Sequence, residues 1–230
     1  MQEDIIFTII NDLMNNFIGE NIMKDKELFL NIEQHLLNDD KPSVYLEENL
    51  KSQKLDNYPF SMIRELEEVD QNPKFHPEGN VFIHTMMVID EGAKVRERSL
   101  NKRAFMWALL LHDIGKKPTT KIRKGKLTSY NHDIVGADMT RTFLTYFDEE
   151  ESFIKEVTSL VRWHMQSLFV TKNLKYQNVD AMLDEVTINE IVLVSLSDRL
   201  GRGNLKFDEI KETKTMVNLF KEKISDAYTK

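Results

Sequence analysis

The stretch WALLLHDIGKKPTT, residues 107–120, decides how this chain is read. An apolar run, Ala108 to Leu111, stops at adjacent His112 and Asp113, followed by Ile-Gly and two lysines. Ionisable groups at the end of a buried segment are costly to desolvate and need a compensating partner. A metal ion is one such partner, and a helix-end hydrogen bond is another. The chain has six histidines and no cysteine, which excludes disulfide frameworks and Cys-ligated zinc or iron–sulfur sites. Any metal here must sit on His and Asp/Glu.

Outward from that stretch, apolar positions at three- and four-residue spacing predict an all-α fold. Helices are expected over 3–18, 25–38, 81–98, 102–113, 132–147, 151–169, 187–200 and 205–227, with short ones around 44–50 and 60–69. DQNPKFHPEGN, residues 70–80, is the densest group of turn residues, and Asn80 suits a helix N-cap. Lys124-Gly125 can turn one small β-hairpin near 120–129, between Ile122 and Leu127. The expected organisation is an N-terminal helical extension over 1–72 packed on the core, a metal-binding catalytic domain over 73–203 and a C-terminal helix over 204–230.

With 230 residues and 41% hydrophobic content, the chain can bury a sizeable core. The first ten residues, MQEDIIFTII, are acidic where a signal peptide is basic, and no run reaches the length of a membrane span. A cytoplasmic protein with no membrane partner is expected. The net charge of −7 argues against coating nucleic acid, because phosphate backbones reward an excess of Lys and Arg. It leaves room for a small phosphorylated ligand held by a few local cations.

Taken singly, each buried His or Asp has a plain structural explanation. His84 shares a helical stripe with Val81, Val88 and Val95, His132 with Val135, Met139 and Phe143, and His164 with Val157, Leu160, Val161 and Leu168. A lone histidine on an apolar stripe is more often a hydrogen-bonded core residue than a ligand. Asp198 follows Ile191 and Val194 at helical spacing and could simply pair with Arg199 or Arg202. Together they read differently: five helices each aim a His or Asp inward, which destabilises an interior that holds no cation. Imidazole and carboxylate without thiolate suit iron, manganese, nickel, cobalt or zinc. His35 reads as a solvated helix position, and His76 as a loop residue close to His84.

The order His84, His112-Asp113, His132, His164, Asp198, with HDIGK at 112–116, resembles the HD superfamily of metal-dependent phosphohydrolases. QNPKFHPEGNVFIHTMMVID, LLLHDIGKKPTT, YNHDIVGAD and LSDRLGRG are similar to the HD domain of bacterial tRNA nucleotidyltransferases, the CCA-adding enzymes. The likeness is strong over about residues 70–203 and weaker from about residue 27. Residues 1–70 carry no Gly-Gly motif or strand-borne aspartate pair of a nucleotidyltransferase head, so CCA addition is not expected. The resemblance implies an HD-domain helical bundle binding one or two divalent transition metal ions. His84, His112, Asp113 and Asp198 would hold the first, and Asp113 would bridge to a second completed by His132 and His164.

The resemblance further implies hydrolysis of phosphomonoester or phosphodiester bonds in nucleotides, of the 2′,3′-cyclic nucleotide phosphodiesterase, nucleotidase or phosphatase type, by water activated on the metals. Asp113 and Lys116 are the expected catalytic residues, with Lys116, Lys117 and Arg202 binding substrate. For Lys116 a helix C-terminal lysine facing the macrodipole is an equal alternative on the bare sequence. Lys121 to Lys126 read by default as a solvated basic face. HD-GYP cyclic-di-GMP phosphodiesterases are disfavoured by the missing Gly-Tyr-Pro, while diadenosine tetraphosphate hydrolases use a comparable ligand set. Two other readings stand beside hydrolysis: a di-iron oxygenase on the same ligands, and a non-catalytic RNA- or protein-binding module. An RNA end is a less favoured partner than a nucleotide, and apolar faces on the terminal helices would allow a homodimer.

Overall fold

A computed structural model of the protein describes residues 2–203 and 205–228. The described residues form twelve α-helices and one two-stranded antiparallel hairpin. The helices are α1 (Gln2–Asn38), α2 (Ser43–Lys51), α3 (Ser61–Arg64), α4 (Val81–Ala93), α5 (Lys102–Leu111) and α6 (Lys116–Thr119). The hairpin, β1 (Lys121–Arg123) and β2 (Lys126–Thr128), precedes α7 (His132–Tyr146), α8 (Glu151–Trp163), α9 (Gln166–Thr171), α10 (Val179–Leu183), α11 (Ile188–Leu200) and α12 (Phe207–Tyr228). The fold is therefore an all-α bundle.

Helix α5 is its axis. From Ala104 to Leu111 every residue is buried, so this helix is apolar all round and needs neighbours on every side. Helices α4, α8, α11 and α1 supply them. Phe29 of α1 stacks on Trp107 with ring centroids 4.3 Å apart, and Ile32 and Leu36 continue the same core. On the far side Phe220 and Ile224 of α12 join it. Among the described residues no helix is long and apolar enough to cross a membrane.

Several boundaries differ from expectation. The two helices expected over 3–18 and 25–38 are one, because the lone Gly19 lowers helix propensity by only about 1 kcal/mol and no proline follows it. Helix α4 stops at Ala93 rather than 98, and the chain turns through a 3-10 segment whose buried Arg96 donates to the carbonyls of Leu36 and Asp39. The helix expected over 151–169 breaks at His164-Met165 into α8 and α9. The 60–69 segment is α3 followed by a 3-10 turn, and α10 had no counterpart in the periodicity. Asn80 caps α4 by accepting from Ile83 N at 3.0 Å, and an isolated bridge between Asp70 and Asn80 closes the loop before it.

Candidate metal centre

The six singled-out donors come from α4, the α5 terminus, the start of α7, the α8 terminus and α11, and their side chains meet at one buried point. Ligand atoms of His84, His112 and Asp198 lie within 4.8 Å of one another, as do those of Asp113, His132 and His164. Asp113 joins the two groups. Its Oδ2 is 3.2 Å from His112 Nε2 and 3.9 Å from His84 Nε2, while its Oδ1 is 3.4 Å from His132 Nε2 and 4.0 Å from His164 Nε2.

The ring orientations have a local cause. His112 and His164 directly follow the last turns of α5 and α8, where carbonyls lack helical partners. Each donates Nδ1–H to the carbonyl three residues back, Leu109 or Val161, at 2.7 Å. His132, opening α7, does the same to Ser129 at 2.8 Å. A carbonyl only accepts, so all three rings carry a proton on Nδ1, and His132 and His164, kept neutral by burial, turn a bare Nε2 to the centre. His84 Nδ1 instead lies 3.0 Å from Glu78 Oε1, close enough for an ion pair though off the line of a good hydrogen bond.

Glycines allow the approach. A Cβ on Gly115 would stand 2.2 Å from the His132 carbonyl oxygen and 2.5 Å from Gly136 N, so only glycine lets the turn after Asp113 lie on α7. A Cβ on Gly201 would stand 2.5–2.7 Å from Val88, which fixes the end of α11, and hence Asp198, against α4.

Without a cation this arrangement is frustrated. His132 Nε2 and His164 Nε2 face each other at 3.2 Å. Burial pushes both imidazoles down, His164 to about 4, so at neutral pH two lone pairs point at one another. His112 Nε2 is buried and has no hydrogen-bond partner. Burial opposes ionisation of Asp113 and Asp198, yet His112 and Lys116 hold Asp113, and His84 and Arg202 hold Asp198, well below the usual carboxylate range. The His84 Nε2–Asp198 Oδ1 distance is 3.1 Å. First-row metals bind such donors at roughly 2.0–2.2 Å, which sets neighbouring donors roughly 3–3.5 Å apart, so this set fits a divalent ion.

Lys116 Nζ bonds Asp113 Oδ2 at 2.7 Å and Gln71 Oε1 at 2.8 Å, which places its charge inside the centre. Lys117 is turned to Glu68, at 2.6 Å. Arg202 is half-buried near Asp198, and its Nε has no partner. Sequence reasoning missed Glu78 and Gln71. The Glu78 side chain is buried, accepts from Gly203 N at 3.1 Å and from His76 Nδ1 at 2.9 Å, and so ties the 70–80 loop to the segment following Asp198. Its signal was faint: one acid inside a turn-rich loop.

Comparison with known proteins gives the same location. The HD domain family matches residues 81–203. The chain is 30% identical over 178 residues to a multifunctional CCA protein of Haemophilus influenzae, covering 72% of this chain and 41% of that protein. It is 29% identical over 139 residues to the multifunctional CCA protein of Mannheimia succiniciproducens, covering 57% and 33%. An A-adding tRNA nucleotidyltransferase of Deinococcus radiodurans is 33% identical over 93 residues, covering 37% and 21%. The chain thus spans less than half the length of these relatives. The matched segment contains all six donors and the glycines that pack them, and the chain belongs to the HD domain family.

Proposed function

We propose that this protein is a metal-dependent phosphohydrolase acting on phosphomonoester or phosphodiester bonds of nucleotides. One observation carries the reading: two buried imidazoles with Nδ1 fixed on carbonyls turn Nε2 atoms 3.2 Å apart beside the Asp113 carboxylate. Convergent imidazole nitrogens and a shared carboxylate are the donor set that a divalent cation takes. His84, His112, Asp113 and Asp198 would hold one divalent ion, and Asp113, His132 and His164 a second. Bound there, such ions supply Lewis acidity toward a phosphoryl group and a water nucleophile competent at neutral pH.

The chain's own residues do the rest. The carbonyls of Leu109, Ser129 and Val161 keep the imidazoles oriented and in one tautomer, so little reorganisation is needed at the moment of reaction. Lys116, held between Asp113 and Gln71, stands where a phosphoryl oxygen beside Asp113 would gain negative charge. Arg202 offers a second cation on the Asp198 side. Curated relatives are named as CCA protein and tRNA nucleotidyltransferase, which supports nucleotides, ahead of an RNA end, as the substrate class to test.

The test is release of phosphate or nucleotide from 2′,3′-cyclic nucleotides, 2′-nucleotides and a generic phosphodiester, with manganese, nickel, cobalt, zinc or iron supplied. Activity with at least one metal is expected, and Lys116→Ala should lower kcat about a hundredfold with KM little changed. Metal-loaded protein that hydrolyses none of these esters, and consumes dioxygen instead, would overturn the reading.

A further inference from the structure

The acidic net charge of the chain conceals a segment of opposite character. From Ile114 to His132 there are six Lys or Arg and no Asp or Glu. Four of the six lie on the β1–β2 hairpin and its turn. Register pairs Lys121 with Thr128, Ile122 with Leu127 and Arg123 with Lys126. Alternation along a strand therefore places Lys121, Arg123 and Lys126 on one face, with Ile122 and Leu127 on the other. Like charges directly opposite across a strand pair are destabilising. A hairpin this short has little stability of its own to offset them.

Lys121, Lys124 and Lys126 are exposed, and among the described residues none of them pairs with a carboxylate. Arg123 is held by Thr128 Oγ1 at 2.6 Å and lies 5.0 Å from the ring centroid of Tyr130, a residue 57% exposed. Both feet of the hairpin rest on the metal centre. Thr120 and Ser129 close its base at 2.7 Å, Ser129 orients His132, and Lys116 touches Asp113. Four residues of strand carry the tip roughly 13 Å from that base.

We propose that the hairpin is a clamp for the backbone of a single-stranded oligonucleotide, whose phosphates lie along the Lys121–Arg123–Lys126 face and one of whose bases stacks on Tyr130. This deepens the phosphohydrolase reading and rests on it for the chain end delivered to the centre. The substrate class becomes an oligonucleotide terminus. A single phosphate needs one cation beside the metals, whereas a like-charged row extending away from them matches a repeating anion. An exposed aromatic next to a basic track is the usual combination for unpaired strands.

The test uses the full chain without added divalent ions and a fluorescent single strand of about a dozen nucleotides, a length within the usual range of such sites. Binding that weakens with salt is expected. The triple variant Lys121→Gln, Lys124→Gln, Lys126→Gln should bind at least about tenfold more weakly. Its log–log salt slope should be shallower by about 2, at about 0.7 per neutralised phosphate. Tyr130→Ala should lose about fivefold or more in affinity and keep the wild-type slope. Among the described residues the three lysine side chains make no hydrogen bond or ion pair, so an unchanged thermal midpoint certifies the triple variant.

Wild-type affinity and slope in that variant would overturn the clamp. So would a mononucleotide competing as well as the oligonucleotide at equal phosphate concentration, or no binding by the wild type at low salt. Binding is read without turnover, so the two proposals fail separately. A protein that binds the strand but hydrolyses nothing contradicts the hydrolase. One that hydrolyses mononucleotides but ignores the strand contradicts the clamp.

Discussion

The two halves of the centre share one carboxylate and are built on opposite proton logic. In the His84–His112–Asp198 half, burial opposes a charge on His84, but Asp198 and Glu78 outweigh it and raise the imidazole above its ordinary value. Without metal, a proton sits between His84 Nε2 and Asp198 Oδ1, 3.1 Å apart. In the Asp113–His132–His164 half the imidazoles are pushed down by burial and present lone pairs with no proton to displace. A cation entering the first half must expel a proton, while one entering the second need not. Uptake by the two halves should therefore differ in pH dependence although their donor types are the same.

The largest perturbation that separates them is Gly115→Ala. Its Cβ would meet backbone atoms of His132 and Gly136, which cannot swing aside as a flexible side chain can. We expect a loss of about 4 kcal/mol in stability, read by denaturant unfolding, with metal retained in the His84 half of the population that still folds. Equal metal loss from both halves would show that they are one rigid unit.

The next effect is acid sensitivity of the metal-free protein. His164 has a folded pKa of about 4 against 6.5 for the free side chain. The unfolded chain binds its proton first, so the stability from neutral His164 is complete above 6.5 and is lost as pH falls toward 4. Burial of this group implies about 3 kcal/mol over that window. Depressed His132 adds in the same direction, whereas raised His84 works the other way, its contribution fading as pH rises through its folded pKa. Thermal midpoints against pH, wild type beside His164→Asn, measure this; a profile as steep in the variant would assign the acid sensitivity elsewhere.

The smallest effect is the most selective. Glu78→Gln removes the carboxylate behind His84 Nδ1 and leaves the other half untouched. A tenfold to hundredfold loss in affinity, about 1.4–2.7 kcal/mol, is expected for one of two titrating equivalents. Parallel weakening of both would erase the distinction between the halves.

How much of this could be read from the sequence follows from what is local. The Lys124-Gly125 turn was legible because both residues take positive φ, 49° and 72°, as a two-residue hairpin loop demands. The Asn80 cap was legible for a similar reason, being one side chain acting on a backbone group three residues away. The six donors were legible as a set, since so many inward polar groups have few compatible explanations. Glu78 was not, because its partners His84 and Gly203 are recruited by the fold, the latter 125 residues away. The α8–α9 break escaped for another reason: apolar spacing runs straight through His164, and only the Nδ1 bond to Val161 reveals where the helix stops. Lys117, next to the motif lysine, lies 2.6 Å from Glu68, a partner 49 residues away that no local pattern points to.

The proposed joining of two cation sites by Asp113 is tested most directly by counting transition-metal equivalents per chain, by elemental analysis of untagged protein, in wild type and Asp113→Ala. About two equivalents are expected in wild type and, with each half losing its shared carboxylate, at least a hundredfold weaker retention in the variant. Less than about a tenth of an equivalent in wild type after reloading with each candidate ion would contradict it, and would make the six side chains a buried polar network holding five helices together.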